Sequence, residues 1–336
     1  LAEAIMAVRV FLNGFGRIGR TVLRAWAQGA VPEVEIVGVN DIASPEICAY
    51  LFEYDSVFGP WKGQVTLEPG VLVVDGRRLP LHRTPDLSVL DLSGVDVVME
   101  CTGRADGEAV ARRGLQAGAG AVLISGPSAA AEAVVVLGAN DAVLDQALAA
   151  GKRLISNASC TTNALAPLAR LIEERWRIET GYMTTIHCYT GSQPTVDAPG
   201  PDMVRSRAAA LSMVPTTTSA QRLLNIVLPG IAGRIAGSAV RVPTASVSAV
   251  DLCVMTRACP TVAEVNAALK AAGGVIGWTD RPLVSSDLRA RPESIVMALP
   301  ETVVTAGGML RVFGWYDNEW GFSNRMLDVA ARMAKR

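Results

Sequence analysis

Cys160 stands in the stretch SNASCTTNALAP (Ser156–Pro167), between Ser159 and Thr161, with an asparagine on either side of the cluster. An apolar run, KRLISN, ends just before it, and helical spacing follows at Ala164, Leu168, Leu171 and Ile172, with Pro167 expected to kink the helix. If Ser159 caps that helix, Cys160 falls in its first turn, where the dipole and free N–H groups favour a thiolate. A free thiol ionises near about pH 8.5, and such settings lower that value by one to several units. The plain alternative is a helix cap around a small buried residue. The chain has only two histidines, His82 and His187. His187 follows Cys160 by 27 residues, on the strand face shared by Met183, Thr185 and Tyr189. A strand returning beside the helix would bring this ring to the thiol, as general base to nucleophile. Taken alone, His187 reads as a hydrogen-bonded, half-buried strand histidine. His82, in PLHRTPD, reads as a loop residue with no role.

A second chemistry-bearing pattern lies near the start of the chain. VRVFLN is followed by GFGRIG (Gly14, Gly16, Gly19), then by helical spacing at Val22, Leu23 and Trp26. A further apolar run, VEIVGVN, closes at Asn40–Asp41, about 25 residues after the glycines. Strand, G-x-G-x-x-G, helix, strand and terminal acid make up a dinucleotide-binding fingerprint. Gly14 permits the tight turn, Gly16 lets backbone approach a pyrophosphate, and Gly19 lets the helix pack on the strand. The helix N-terminus then faces the phosphates. Asp41 is placed to bond the adenosine ribose hydroxyls and to repel a 2′-phosphate, which favours NAD over NADP. Without a ligand, the same residues make a tight turn and a solvated strand-end carboxylate.

These residues need elements to hold them. Near-continuous apolar runs recur at VDVVMECTG (Val95–Gly103), AVLISG (Ala121–Gly126), VVVLG (Val134–Gly138) and KRLISN (Lys152–Asn157), as buried parallel strands require. GEAVARRGLQAGA and NDAVLDQALAAG read as helices between them. The expectation is an α/β, Rossmann-type doubly wound parallel sheet over residues 1–158. After Cys160 the pattern changes to period-two alternation in GYMTTIHCYT and SAVRVPTASVSAVDLCVMT. That predicts an α+β domain over residues 159–322 with a mainly antiparallel sheet. Residues 323–336 read as a terminal helix.

Composition excludes several other functions. Thirty-one basic residues against thirty-two acidic ones leave a net charge of −1, so neither nucleic acid nor an anionic membrane is indicated as a partner. No apolar run reaches the about 18 residues of a spanning helix. The six cysteines form no C-x-x-C pair and no zinc-type spacing with histidine, so no metal is expected and a reduced, cytoplasmic protein is. Leu1–Ile5 is too short and too acidic for a secretory signal, and Met6 is a candidate start.

NGFGRIGR, ECTG, SNASCTTN, HCYTGSQ, RSRAAALSMVPTTTSA, AVRVPT and WYDNEWGFSNR occur in that order from Val8 to the C-terminus. Together they resemble the glyceraldehyde-3-phosphate dehydrogenase family, SCTTN with WYDNEWG being the most specific part. The resemblance implies a homotetrameric, phosphorylating, NAD-linked aldehyde dehydrogenase whose last helix returns to the first domain. By the same resemblance Cys160 is the nucleophile, His187 the base, and Asn318 the residue that orients the nicotinamide carboxamide. It assigns Gly14, Phe15, Gly16, Arg17, Ile18, Gly19, Asp41, Arg77 and Ser125 to the cofactor. Thr190 and Arg241 match the site for the substrate's own phosphate. Ser159, Thr161, Arg205 and Thr218 match the site for inorganic phosphate. Hydroxyls and arginine forks are suited to phosphate dianions.

Three positions depart from the family pattern. Ser192 stands where aspartate is usual, Ser219 where glycine is, and Val204 where a basic residue is common. These bear on the phosphate sites and leave the catalytic pair intact. Ala198–Pro199 keeps the proline usual in NAD-specific members but has alanine where leucine is common. Erythrose-4-phosphate dehydrogenase shares the nucleotide-binding half and the Cys–His pair. The phosphate-binding threonine at Thr190 argues against it, and the intact site residues argue against a non-catalytic protein on the same fold.

Overall fold

The computed structural model describes residues 7–200 and 202–334, so the expectations about Leu1–Met6 lie outside the described residues. The described chain forms two compact units. One comprises residues 7–135, 141–158 and 323–334, the other residues 136–140 and 159–322.

The first unit is built on a nine-stranded sheet. Its centre is Val8–Asn13, with Val34–Asn40 on one side and Val97–Glu100, Ala121–Ile124 and Leu154–Ser156 on the other, all parallel. The strands are apolar without alternation because both faces are covered, and Val97–Glu100, Ala121–Ile124 and Leu154–Ser156 are buried throughout. The strand order reverses around Val8–Asn13, so the crevice at its C-terminal end is where an open α/β sheet takes a ligand. The glycine-rich turn and the helix Arg17–Ala27 begin there. Buried Asn13, Asn40 and Glu100 hold the strand ends together: Asn13 donates to Glu100 Oε2, and Asn40 donates to Asn13 Oδ1 at 2.8 Å.

Three local expectations change. VVVLG is a strand only over Ala133–Val134, because the Val136 N–H turns to the side chain of Asn140 at 2.8 Å instead of the sheet. GEAVARRGLQAGA forms two short helices, Glu108–Ala111 and Arg113–Gln116. His82 is no loop residue. It ends the strand Arg77–His82, with its ring 5.8 Å from that of Phe11. The terminal helix Trp320–Met333 places Arg332 on Asp141 and Asp145 of this unit, at 2.9 and 2.8 Å.

The second unit carries an eight-stranded, mainly antiparallel sheet. Its central strand, Ile178–Cys188, pairs antiparallel with Ser248–Thr256 but parallel with Ile235–Val242. The alternating stretch after Gly237 is therefore two strands, interrupted at Pro243, which has no N–H to give a ladder. The helix Cys160–Trp176 runs on through Pro167. It forgoes one backbone hydrogen bond there, and the complete burial of Ala164–Ala169 offsets the loss.

Candidate active site

The site in the second unit starts from the helix cap. Ser159 Oγ accepts the Thr162 N–H at 3.2 Å, which ends the strand-like backbone and opens the helix at Cys160. His187 lies near the end of the strand Ile178–Cys188, and its Nε2 is 3.6 Å from Cys160 Sγ. Arg241 is the parallel cross-strand neighbour of His187. That register brings its guanidinium 2.6 Å from His187 Nδ1 and 2.9 Å from the Cys188 carbonyl oxygen, to which it donates.

Burial sets the electrostatics. It pushes the Cys160 thiol above its ordinary range, against the Thr161 hydroxyl, the Arg241 charge and the backbone N–H groups of Thr161 and Cys160, all of which favour the thiolate. Burial and then the Arg241 charge pull the His187 imidazole down to about 4. The expected lowering of the thiol by the helix terminus is thus outweighed: a buried anion loses its hydration, and its partner is a neutral ring. A neutral imidazole at pH 7 is nevertheless the form that accepts a proton. Thiolate and imidazolium arise together by transfer from Sγ to Nε2, as one coupled pair.

Tyr316 fixes the spacing of that pair. Its buried hydroxyl hydrogen-bonds Thr161 Oγ1 from the helix and Thr185 Oγ1 from the strand, each at 2.8 Å. Its ring stands edge-on to the imidazole, with centroids 6.0 Å apart. Tyr316 lies inside the WYDNEWG segment, yet nothing in its sequence spacing ties it to Thr161, 155 residues away. The Thr161 hydroxyl bonds Tyr316 and also faces the thiol.

Asn318 is 7% exposed, and its Oδ1 accepts from Cys188 Sγ at 3.1 Å and Ser248 Oγ at 3.4 Å. Val247, just before Ser248, has φ 64°, a left-handed conformation that a β-branched residue adopts only under constraint. Among the anion-site candidates, Arg205 donates to Thr216 Oγ1 at 2.8 Å and to the Thr217 carbonyl at 3.4 Å, next to Thr218. Thr218 Oγ1 accepts the Ala220 N–H at the start of a helix packed on the one that Cys160 opens. Thr190 Oγ1 lies 3.0 Å from Ser192 Oγ, so a hydroxyl stands where the family pattern puts a carboxylate.

In the first unit a cleft of about 510 Å³ is lined by Asn13, Gly14, Gly16, Asn40, Asp41 and Thr102, among others. Gly14 has φ +94°, and a Cβ on it would lie 2.6 Å from the Thr102 nitrogen. A Cβ on Gly19 would lie 2.1 Å from the Gly14 oxygen. Gly16 meets nothing within 4 Å, and the helix it precedes has no side-chain cap. That open, donor-rich helix start fits a pyrophosphate. Asp41 accepts the N–H groups of Phe15 at 2.6 Å and Ala43 at 2.9 Å, so it also braces the glycine turn.

The remaining cofactor candidates differ in placement. The Phe15 ring is buried against Phe52, leaving only its backbone near the turn. Arg17 pairs with Asp55, and Ile18 is half-buried in the first helical turn. Ser125 follows the strand Ala121–Ile124 and donates its N–H to Glu100 O at 3.0 Å. Arg77 is a correction. It stacks on Trp26 at 4.7 Å and donates to the Ala27 carbonyl, and it does not line the cleft. Arg83, which the sequence did not single out, donates instead to the carbonyl of Ile42, a lining residue.

Both halves have counterparts among known proteins. Residues 8–108 match the model "Glyceraldehyde 3-phosphate dehydrogenase, NAD binding domain", and residues 159–318 match the C-terminal domain model of the same family. The chain is 45% identical to glyceraldehyde-3-phosphate dehydrogenase of Cereibacter sphaeroides over 337 residues, covering 98% of this chain and 99% of the relative. It is 45% identical to that of Pseudomonas aeruginosa over 335 residues and 42% identical to that of Geobacillus stearothermophilus over 338, with the same coverage. With both domain models matched in order and the similarity running through the thiol–imidazole pair and the glycine cleft alike, the chain belongs to the glyceraldehyde-3-phosphate dehydrogenase family.

Proposed function

We propose that this protein oxidises D-glyceraldehyde 3-phosphate to 1,3-bisphosphoglycerate in an NAD-dependent, phosphorylating reaction, through a covalent intermediate on Cys160. The observation that carries this reading is the 3.6 Å approach of Cys160 Sγ to a neutral His187 at a helix start. His187 takes the thiol proton, and Sγ attacks the aldehyde carbon to give a thiohemiacetal. The Cys160 N–H and the protonated imidazole steady the developing oxyanion, and the imidazolium gives its proton to that oxygen, which leaves the ring neutral again. His187 then receives the hydroxyl proton as the C–H bond breaks and a thioester remains on Sγ. NAD, when bound, accepts the hydride from that carbon. Inorganic phosphate attacks the thioester, the C–S bond breaks, and the acyl phosphate leaves with Cys160 restored.

Arg241 and Thr190 hold the phosphate carried by the aldehyde, while Arg205, Thr218, Ser159 and Thr161 receive inorganic phosphate. Gly14, Gly16, Gly19 and Asp41 hold the dinucleotide, and Asn318 orients its carboxamide. Large apolar side chains exposed in the segment after the active-site strand (Val196, Met203, Leu211, Met213) support burial in a homotetramer. Among the described residues no helix is long and apolar enough to cross a membrane, and the reading places the enzyme in the cytoplasm.

Separate anion sites make separable variants. Arg241→Ala raises KM for the phosphorylated aldehyde by about tenfold or more, since the remote phosphate positions the carbonyl for attack. It also removes the charge beside His187. Arg205→Ala raises the inorganic phosphate requirement with little change in aldehyde KM. Initial rates with each substrate varied in turn test this, and equal losses toward both substrates in both variants would mean the sites are misassigned.

Asp41 gives an equilibrium test of cofactor choice. Asp41→Asn keeps an acceptor for the Phe15 N–H but removes the charge set against a 2′-phosphate. The NADP-to-NAD affinity ratio, measured by fluorescence titration, rises by about tenfold. A ratio that stays put would take Asp41 away from the adenosine ribose.

A further inference from the structure

Asn318 can present either end of its carboxamide, and the end it presents decides which cofactor atom it reads. Two donors facing Oδ1 settle the choice. The Cys188 N–H donates to Ser248 Oγ at 3.1 Å, which occupies a lone pair of that hydroxyl and frees its proton to donate onward. The Ser248 hydroxyl then donates to Asn318 Oδ1 at 3.4 Å, and the Cys188 thiol donates to the same oxygen at 3.1 Å. Turning the amide around would set its NH2 against a thiol, a weak acceptor, and would leave both protons unmatched in a buried place. Cys188 and Ser248 are 0% and 1% exposed, so water cannot repair the loss. Burial pushes the Cys188 thiol up to about 12, so it stays protonated and a donor at neutral pH. The strained backbone of Val247 delivers Ser248 to this position.

We propose that Cys188 is a positioning residue which, with Ser248, locks the Asn318 carboxamide so that its NH2 end recognises the carbonyl oxygen of the nicotinamide carboxamide. This rests on the reading of Asn318 as the carboxamide ligand. Cys188 touches neither substrate nor cofactor, and it acts only through Asn318.

The test is equilibrium binding of NAD, ADP-ribose and the 3-acetylpyridine analogue of NAD to the whole protein. ADP-ribose lacks the nicotinamide, and the analogue keeps the carbonyl oxygen but replaces the amide NH2 by methyl. In wild type, NAD binds more tightly than ADP-ribose, and the analogue binds within a few-fold of NAD. Cys188→Ala weakens NAD and the analogue together by about three- to tenfold, the worth of one hydrogen bond. ADP-ribose affinity stays within about twofold, which also reports that the variant is folded. Cys188→Ser restores a donor and recovers most of the NAD affinity, whereas a role in packing alone would not distinguish the ligands this way. Equal weakening of NAD and ADP-ribose, no weakening of either, or selective failure of the analogue in wild type would overturn the proposal. Equal affinity of wild type for NAD and ADP-ribose would instead remove Asn318 from the cofactor, and the proposal with it.

Discussion

Replacing Cys160 by serine abolishes turnover, by about 10⁴-fold or more, while NAD affinity stays within about twofold of wild type. The substitution is nearly isosteric, and Ser159 still caps the helix, so the site keeps its shape. What disappears is the chemistry. A hydroxyl gives up its proton far less readily than a thiol and is the weaker nucleophile, so the covalent step is lost. The glycine cleft has no part of Cys160 in it, which is why cofactor binding survives. NADH formation with saturating aldehyde and phosphate, next to a cofactor titration, checks both halves. Activity within tenfold of wild type would rule Cys160 out as the nucleophile.

His187→Asn is the second large effect: hydride transfer slows by about a hundredfold or more, and Cys160 loses its reactivity at neutral pH. The sign follows from the shifts. With His187 down at about 4, the ring is unprotonated throughout the physiological range and available as a base. It loses that capacity only as pH falls toward 4. The thiol is pushed up by burial, so without the base it forms thiolate only at alkaline pH. Iodoacetamide alkylation of Cys160 in wild type therefore runs through transfer of the thiol proton to His187, and the variant profile moves to higher pH. Peptide mapping separates Cys160 from Cys259, the exposed cysteine. Burial pushes the thiols of Cys48, Cys101 and Cys188 up to about 11, 12 and 12, which protects them at neutral pH. An unmoved profile, or alkylation of Cys188 or Cys101 before Cys160, would break the pair.

Local signals proved readable where the chemistry is local. The glycine turn, its two flanking strands and Asp41 fall within about 35 residues, and each glycine has a steric or conformational reason visible in its own neighbourhood. Ser159 and Cys160 are adjacent, so cap and nucleophile announce each other. His187 was legible mainly because histidine is so scarce here. Long-range contacts were not legible. The parallel pairing of Ile178–Cys188 with Ile235–Val242, which sets Arg241 beside His187, has the same alternation as an antiparallel pair. Tyr316, Cys188 and Ser248 join residues 60 to 155 positions apart through single hydrogen bonds, which leave no periodicity. Arg77 shows the opposite failure: a guanidinium near the right stretch of chain stacks on Trp26, while Arg83 six residues on reaches the rim of the cleft.

The covalent intermediate is the feature on which the mechanism stands, and withholding phosphate exposes it. Enzyme mixed with NAD and D-glyceraldehyde 3-phosphate, without phosphate, is quenched in acid and analysed by peptide mass spectrometry. A thioester route gives a single stoichiometric burst of NADH and a 3-phosphoglyceroyl adduct on the peptide bearing Cys160, and added phosphate discharges it as acyl phosphate. Sustained NADH production without phosphate and with no adduct, or an adduct on any residue other than Cys160, would contradict it.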